Sequence, residues 1–232
     1  MSDVEAFSFS RWGGLSSAPY DELNTGFNTG DTRENVRYNR QIIKERLGLK
    51  LLASVGQVHG DRIRVVGSLE RDSEFDGFDG LLTRARGTGL LIQHADCQAV
   101  VLYDPVTGAV GNIHCGWRGS VKGILSRAVS LMGGVFGSRP GDIHAAVGPS
   151  IGPCCMEFRG WRDVLPASMH GFRVRGDHMD FWSVTAEQLR AAGLPSEQIE
   201  ITGICTACST DCFSYRREKD TGRLGTVIFR RS

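Results

Sequence analysis

An α+β fold, with helices covering mixed or mainly antiparallel sheets, is what the sequence predicts, and three observations support it. Short apolar runs of strand length outnumber the helical repeats. Strict alternation of strands and helices, the mark of a wholly parallel sheet, is absent. Glycine occurs 30 times in 232 residues, nearly double the usual share. So many permissive positions favour tight turns between strands over a helical bundle.

The first helix is expected after Asp31-Thr32-Arg33-Glu34, which has the form of a capping box with Asp31 as N-cap. Val36, Ile43 and Leu47 share one face, and Gly48 ends it. Strand-like runs follow at 51–57, 62–66, 89–94, 98–103 and 109–115. Asp76-Gly77, Asp79-Gly80 and Asp104-Pro105 read as the turns between them. A second helix is marked by Val121, Ile124, Leu125, Ala128, Val129 and Met132, with Ser120 as N-cap and Gly133-Gly134 as stop. A strand is expected at 143–147, then a helix at 181–192 between Asp180 as N-cap and Gly193. Strands at 199–205 and 226–230 complete the set. No repeat, linker or low-complexity tract interrupts the chain, so residues 1–232 read as one domain.

A formal charge of +1 shows none of the basic excess that nucleic-acid or membrane partners call for. The longest apolar runs, such as Ala99-Val100-Val101-Leu102-Tyr103, have strand length, far short of a bilayer span. The first ten residues lack the basic start and apolar stretch of a signal peptide. Seven cysteines is an odd number, and a cytoplasmic protein with reduced thiols is expected.

Chemistry concentrates at strand ends. In the strand 109–115, alternation puts Ala109, Gly111, Ile113 and Cys115 on one small apolar face, which makes Cys115 a core residue. Val110, Asn112 and His114 take the more polar face. Gly116-Trp117-Arg118-Gly119 then leads into a helix, a setting that suits either an anion site with Arg118 or a plain cap beside a surface arginine. Cys97, in His94-Ala95-Asp96-Cys97-Gln98 between two strands, is either a buried thiol or a ligand. His59, in Gln57-Val58-His59-Gly60, ends another strand. Two imidazoles and a thiolate converging from separate strand ends would make a three-ligand site with an open position, the form catalytic zinc takes.

Two other chemistries compete for the same residues. Cys97 as nucleophile with His114 as base would make a thiol hydrolase or deamidase. A copper oxidase fits less well, because the chain has six histidines and no His-x-His pair. A non-catalytic binding protein is a fourth possibility. Cys205, Cys208 and Cys212 form a C-x2-C-x3-C cluster without an evident fourth partner. Cys154 and Cys155, being adjacent, are expected to belong to a turn and not to share a metal. Arg216 and Arg217 either face phosphate or are solvated, and His144, His170 and His178 receive no role.

Six ordered motifs point further. Gln57-Val58-His59-Gly60, Asp79-Gly80-Leu81-Leu82-Thr83, Ala95-Asp96-Cys97 and His114-Cys115-Gly116-Trp117-Arg118-Gly119 come first. Gly148-Pro149-Ser150-Ile151-Gly152-Pro153-Cys154-Cys155 and Phe213-Ser214-Tyr215-Arg216-Arg217 follow, with Thr221-Gly222-Arg223 after them. The chain resembles the laccase-domain family of purine nucleoside phosphorylases, once regarded as multicopper polyphenol oxidases. The resemblance implies zinc on His59, Cys97 and His114; joined to the anion-site reading of Arg118, it makes Cys97, His114 and Arg118 the expected catalytic group. It implies phosphorolysis of adenosine, inosine and methylthioadenosine, and adenosine deamination as a second activity. Its implied fold is a layered α/β one related to the cysteine-hydrolase domain of cytotoxic necrotizing factors. Ala99 and Met156 depart from the family pattern, which usually has a proline and an aromatic there.

Overall fold

The computed structural model describes residues 3–231. In chain order its first strands are β1 (Val4–Ser8), β2 (Leu51–Gly56), β3 (Ile63–Val65), β4 (Ser73–Asp76), β5 (Gly80–Thr83) and β6 (Thr88–His94). Then come β7 (Gln98–Tyr103), β8 (Val110–Cys115), β9 (His144–Val147), β10 (Arg173–Arg175), β11 (His178–Met179), β12 (Ile199–Ile201) and β13 (Leu224–Arg230). The helices are α1 (Arg33–Leu47), α2 (Trp117–Val121), α3 (Ile124–Phe136), α4 (Trp161–Val164), α5 (Phe181–Ala191) and α6 (Tyr215–Glu218).

Two mixed sheets form the centre, one ordered β1-β13-β6-β2-β4 and the other β12-β9-β7-β8-β5-β3. Their facing sides meet through Val55, Leu90, Ile92 and Ile228 of the first and Leu81, Val101 and Val110 of the second. The outer side of the second sheet, with Val100, Leu102, Ile113 and Val147, is covered by Leu125, Ala128, Val129 and Met132 of α3 and Leu189 of α5. The outer side of the first, with Leu52, Leu91 and Val227, is covered by Ile43 of α1. The result is helix, sheet, sheet, helix: an α+β architecture with mixed sheets under helices. β7 and β8 are buried on both sides, so apolar residues occupy both faces of each strand, and their polar members Gln98, Asn112 and His114 are buried as well.

Several local expectations are corrected. Thr32, not Asp31, caps α1, its hydroxyl accepting from the Asn35 amide at 3.2 Å. Asp31 lies one residue earlier and accepts from the Thr32 amide at 2.8 Å. The run expected as one helix from Ser120 is two, because Gly123 takes φ +75° and breaks it. Ser120 lies inside α2 and bonds Gln188, while α3 passes through Gly133-Gly134 and stops at Gly137, whose φ is +78°. A glycine stops a helix only when it adopts the left-handed conformation, and the earlier pair does not. Asp79-Gly80 is no turn; Gly80 opens β5. The strand expected at 199–205 ends at Ile201. β1, β4, β5 and the β10–β11 pair were not foreseen; the Asp79-Gly80 turn signal masked the buried β5, and the mixed, half-buried or exposed sequences of the others lack the apolar pattern of the central strands.

Candidate metal centre

The inter-sheet layer, expected to be merely more polar, is buried, and Asn112 crosses it to donate to the carbonyls of Leu90 and Thr226 at 2.9 and 2.8 Å. His114 follows at the end of β8, buried with 2% exposure. Its Nδ1 pairs with Asp79 Oδ1 at 2.9 Å. The fully buried Asp79 carboxylate also accepts the backbone N–H groups of Val58, His59 and Gly60 at 3.3, 2.9 and 2.7 Å. One carboxylate therefore orients the His114 ring and shapes the turn that presents His59, which itself has φ +58°. Such a carboxylate behind a histidine fixes the tautomer and leaves the other nitrogen to ligate.

Cys97 sits in the β6–β7 turn, and Asp96 holds that turn with φ +85°. The Asp96 carboxylate accepts from Thr206 Oγ1 and Ser214 Oγ, both at 2.7 Å, and from the Arg216 amide at 2.6 Å. Cys97 Sγ comes within 3.9 Å of His59 Nε2. The rings of His59 and His114 lie edge to face with centroids 4.9 Å apart. Among the described residues, donor atoms of His59, Cys97 and His114 all lie within 4.8 Å of one another. Zinc at its usual ~2.0–2.3 Å from nitrogen and sulfur sets donors about 3.4–3.6 Å apart, so small side-chain adjustments close the set around an ion. Gly116 is what leaves room. A Cβ there would lie 3.1 Å from Cys97 Sγ and 3.2 Å from His59 Cδ2.

Burial raises the Cys97 thiol and lowers the His114 imidazole, but each feels the other's charge, and that attraction prevails. Cys97 is drawn down and His114 up, with Asp79 adding to the second effect. Cys115, turned away under α3 as alternation predicts, is pushed up to about 12 by burial and by the charge of Cys97, so it stays a thiol. His94, buried nearby with Nε2 2.8 Å from Thr226 Oγ1, is lowered to about 3 by burial and by the His114 charge, and is neutral.

The three donors lie on the wall of a cavity of about 470 Å³. Trp117, Ile151, Met156 and Phe181 give it an apolar side, and Arg118, Arg216 and Arg223 bring guanidinium groups to it. These arginines are not equivalent. Arg216 donates to the carbonyls of Cys155 and Glu157 at 2.6 and 2.9 Å, and Arg223 to those of Thr221 and Gly222 at 2.7 and 2.9 Å. Arg217 binds the carbonyls of Thr206, Ser209 and Cys212, so it braces a loop. Arg118 is exposed and rests 4.4 Å from the Trp117 ring centroid, leaving its N–H groups for a ligand. The helix it belongs to has only five residues, so the aligned peptide dipoles of the expected anion site are few and the charge rests on the side chain.

Asp79 and Asp96 were not recognised as orienting residues, since each looks like a turn residue and acts across long sequence separations. The cysteine cluster is also redrawn. Cys212 is buried against Phe213 and Leu224, while Cys205 and Cys208 meet Cys154 and Cys155. Cys154 and Cys155 lie in the expected turn after Gly152, and that turn brings both sulfurs to Cys208. At Cys205 burial raises the thiol, but backbone N–H groups of Gly152 and Cys208 outweigh it and hold it below its ordinary value. All seven cysteines are free, and among the described residues no helix is long and apolar enough to cross a membrane.

Residues 5–231 match the family model described as multi-copper polyphenol oxidoreductase laccase. The chain is 37% identical to a Streptomyces griseus protein named purine nucleoside phosphorylase ORF3, covering 96% of this chain and 93% of that one. It is 33% identical to purine nucleoside phosphorylase YlmD of Geobacillus stearothermophilus, covering 94% and 87%. The crystal structure of that YlmD superposes with a TM-score of 0.92 over 99% of this chain and 93% of the other. Bacillus licheniformis YfiH, 31% identical, superposes with a TM-score of 0.89 over 97% and 92%. With the match spanning nearly its whole length, the chain belongs to the multi-copper polyphenol oxidoreductase laccase family.

Proposed function

We propose that this protein is a zinc-dependent purine nucleoside phosphorylase of the cytoplasm, acting on adenosine, inosine and methylthioadenosine, with adenosine deamination as a second activity. The observation that carries the proposal is the convergence of His59, Cys97 and His114 on the wall of a cavity that also receives the free guanidinium of Arg118. Relatives covering most of this chain and named purine nucleoside phosphorylases support the substrate class. The cavity volume falls in the ~300–1,000 Å³ range of small-molecule sites.

Cleaving an N-glycosidic bond builds positive charge on the ribose and negative charge on the departing purine. The flat apolar side made by Trp117, Phe181 and Met156 suits a purine ring, and Arg118 supplies charge for phosphate. His59, Cys97 and His114 would hold zinc, which when bound supplies a Lewis acid beside the reacting groups. Asp79 keeps His114 and His59 in register, and Asp96 does the same for Cys97. A multicopper centre is disfavoured by the donors available. His94 bonds Thr226 through Nε2 and adds at most one further nitrogen to the cavity wall, and His144, His170 and His178 lie off the cavity.

One observation favours a second reading. Cys97, His114 and Asp79 form a thiol–imidazole–carboxylate series in which the thiol is drawn down, as in a thiol hydrolase. Metal content separates the two, because a thiolate bound to zinc is not free to attack carbon.

Arg118→Ala tests phosphorolysis. The apparent KM for phosphate is expected to rise about tenfold or more, the worth of a charge-assisted contact, while adenosine deamination and the melting temperature hold. A parallel fall of both activities and of thermal stability would assign Arg118 to bracing Trp117 and remove it from phosphate binding.

A further inference from the structure

Four thiols outside the cavity gather from two sequence motifs far apart in the chain, the Cys154-Cys155 pair and the Cys205-x2-Cys208 turn. Sγ of Cys208 lies 3.4 Å from that of Cys155 and 3.7 Å from that of Cys154. With Cys205 included, all four sulfurs lie within 4.8 Å of one another. A tetrahedron of thiolates about 2.3 Å from zinc has edges of about 3.8 Å, so the observed spacing already approximates one. The donor set is four sulfurs with no carboxylate or imidazole, and that composition selects zinc over hard cations.

The local backbone suits such a site. Cys205-Thr206-Ala207-Cys208 forms a C-x2-C turn in which the amides of Cys208 and Ser209 donate to the Cys205 carbonyl at 3.2 and 3.0 Å. The Gly152 amide donates to Cys205 Sγ at 3.2 Å, a contact that favours a thiolate. Gly152 has no space for a Cβ, which would lie 2.8 Å from the Trp182 ring, so this approach depends on glycine. Cys154 and Cys208 are exposed, giving an ion access from solvent. Bare thiols in this setting are weak hydrogen-bond donors and add little to stability.

We propose that Cys154, Cys155, Cys205 and Cys208 form a second, structural zinc site that clamps the two loops on one side of the cavity. The first loop carries Ile151 and Met156 to the cavity, and the second leads into Tyr215 and Arg216. Besides the Gly152 contact to Cys205, they are joined by a short bridge, with Ser150 N to Ile204 O and Thr206 N to Ser150 O both at 3.1 Å, and by Arg216 on the Cys155 and Glu157 carbonyls. A zinc ion bonded to both loops would fix their spacing and hence that side of the cavity.

Zinc content of the full chain, purified under reductant and dialysed against buffered zinc, tests the site. About two equivalents are expected in the wild type. Cys208→Ser and Cys154→Ser should each lose one of the two, while Cys212→Ser, a buried cysteine outside the cluster, should lose none. X-ray absorption at the zinc edge of the wild type provides a measurement that needs no variant, and a sulfur-dominated shell is expected. Replacing the zinc of His59→Ala protein with cobalt should give the strong visible absorption of a cobalt tetrathiolate. A single zinc in the wild type with these four thiols titrating freely, or a disulfide among them under reductant, would overturn the proposal. A nitrogen-dominated zinc shell would do the same.

Discussion

At the scale of single residues, Asp79 makes the clearest demand. It accepts three backbone N–H groups and the His114 imidazole, so two of the three candidate ligands depend on it without its touching the ion. Its carboxylate is held below its ordinary value because the His114 and backbone contacts outweigh the effect of burial. Asp79→Asn keeps the size but not the charge or the full accepting capacity. Zinc affinity at the cavity is expected to drop about 10–100-fold, measured by competition with a chelator. Unchanged affinity with a native melting curve would show that His114 needs no such support. The convergence of His59, Cys97 and His114 was legible in the sequence because histidines and a cysteine at strand ends are chemically conspicuous. Asp79 was not, since an Asp-Gly pair reads as a turn and its partners lie 19 to 35 residues away. That both Cys154 and Cys155 approach Cys208 was hidden for a related reason. Adjacency argues against shared ligation on an extended chain, but not in the turn after Gly152.

Among elements, α6 and the loops around it decide how the cavity side holds together. Ser214 caps this short helix by accepting from the Arg217 amide at 3.2 Å, and Asp96 binds both its capping hydroxyl and its Arg216 amide. At its end Glu218 accepts from Arg11 Nη1 at 2.7 Å and from Thr221 Oγ1 at 2.5 Å. Burial raises the Glu218 carboxyl, but contacts with Thr221, Arg11 and Arg217 prevail and lower it to about 2 from an ordinary 4.5. A depressed carboxyl stabilises the fold above its unfolded value and loses that contribution as pH falls through the folded one. The window is therefore pH 4.5 down to about 2. Denaturant unfolding at pH 6 and pH 3 should show the wild type losing more stability than Glu218→Gln, and equal losses would contradict the assignment. Helix α5 was read almost to the residue because Asp180 caps it through the Ser183 amide and Gly193 follows it. The α2–α3 pair was not, because apolar spacing runs on through Gly123 and only the left-handed φ there reveals the break.

For the molecule as a whole, the α+β class and the mixed sheets follow from short apolar runs, many glycines and irregular helix placement. The stacking of two sheets between helix layers did not follow, since periodicity shows which residues are buried and not against what. That stacking is what brings the ends of β6, β8 and the β2 loop together at one rim of the inter-sheet layer, with Cys97, His114 and His59 at their tips. Catalysis at this rim by a zinc-loaded phosphorylase is the central claim. Its most direct test is the initial rate of hypoxanthine release from inosine as phosphate is varied, on metal-analysed wild type and Cys97→Ala. Release should require phosphate, yield ribose 1-phosphate in equal amount, and vanish in Cys97→Ala together with one equivalent of zinc. Release independent of phosphate, or full activity in a variant that has lost that zinc, would contradict it.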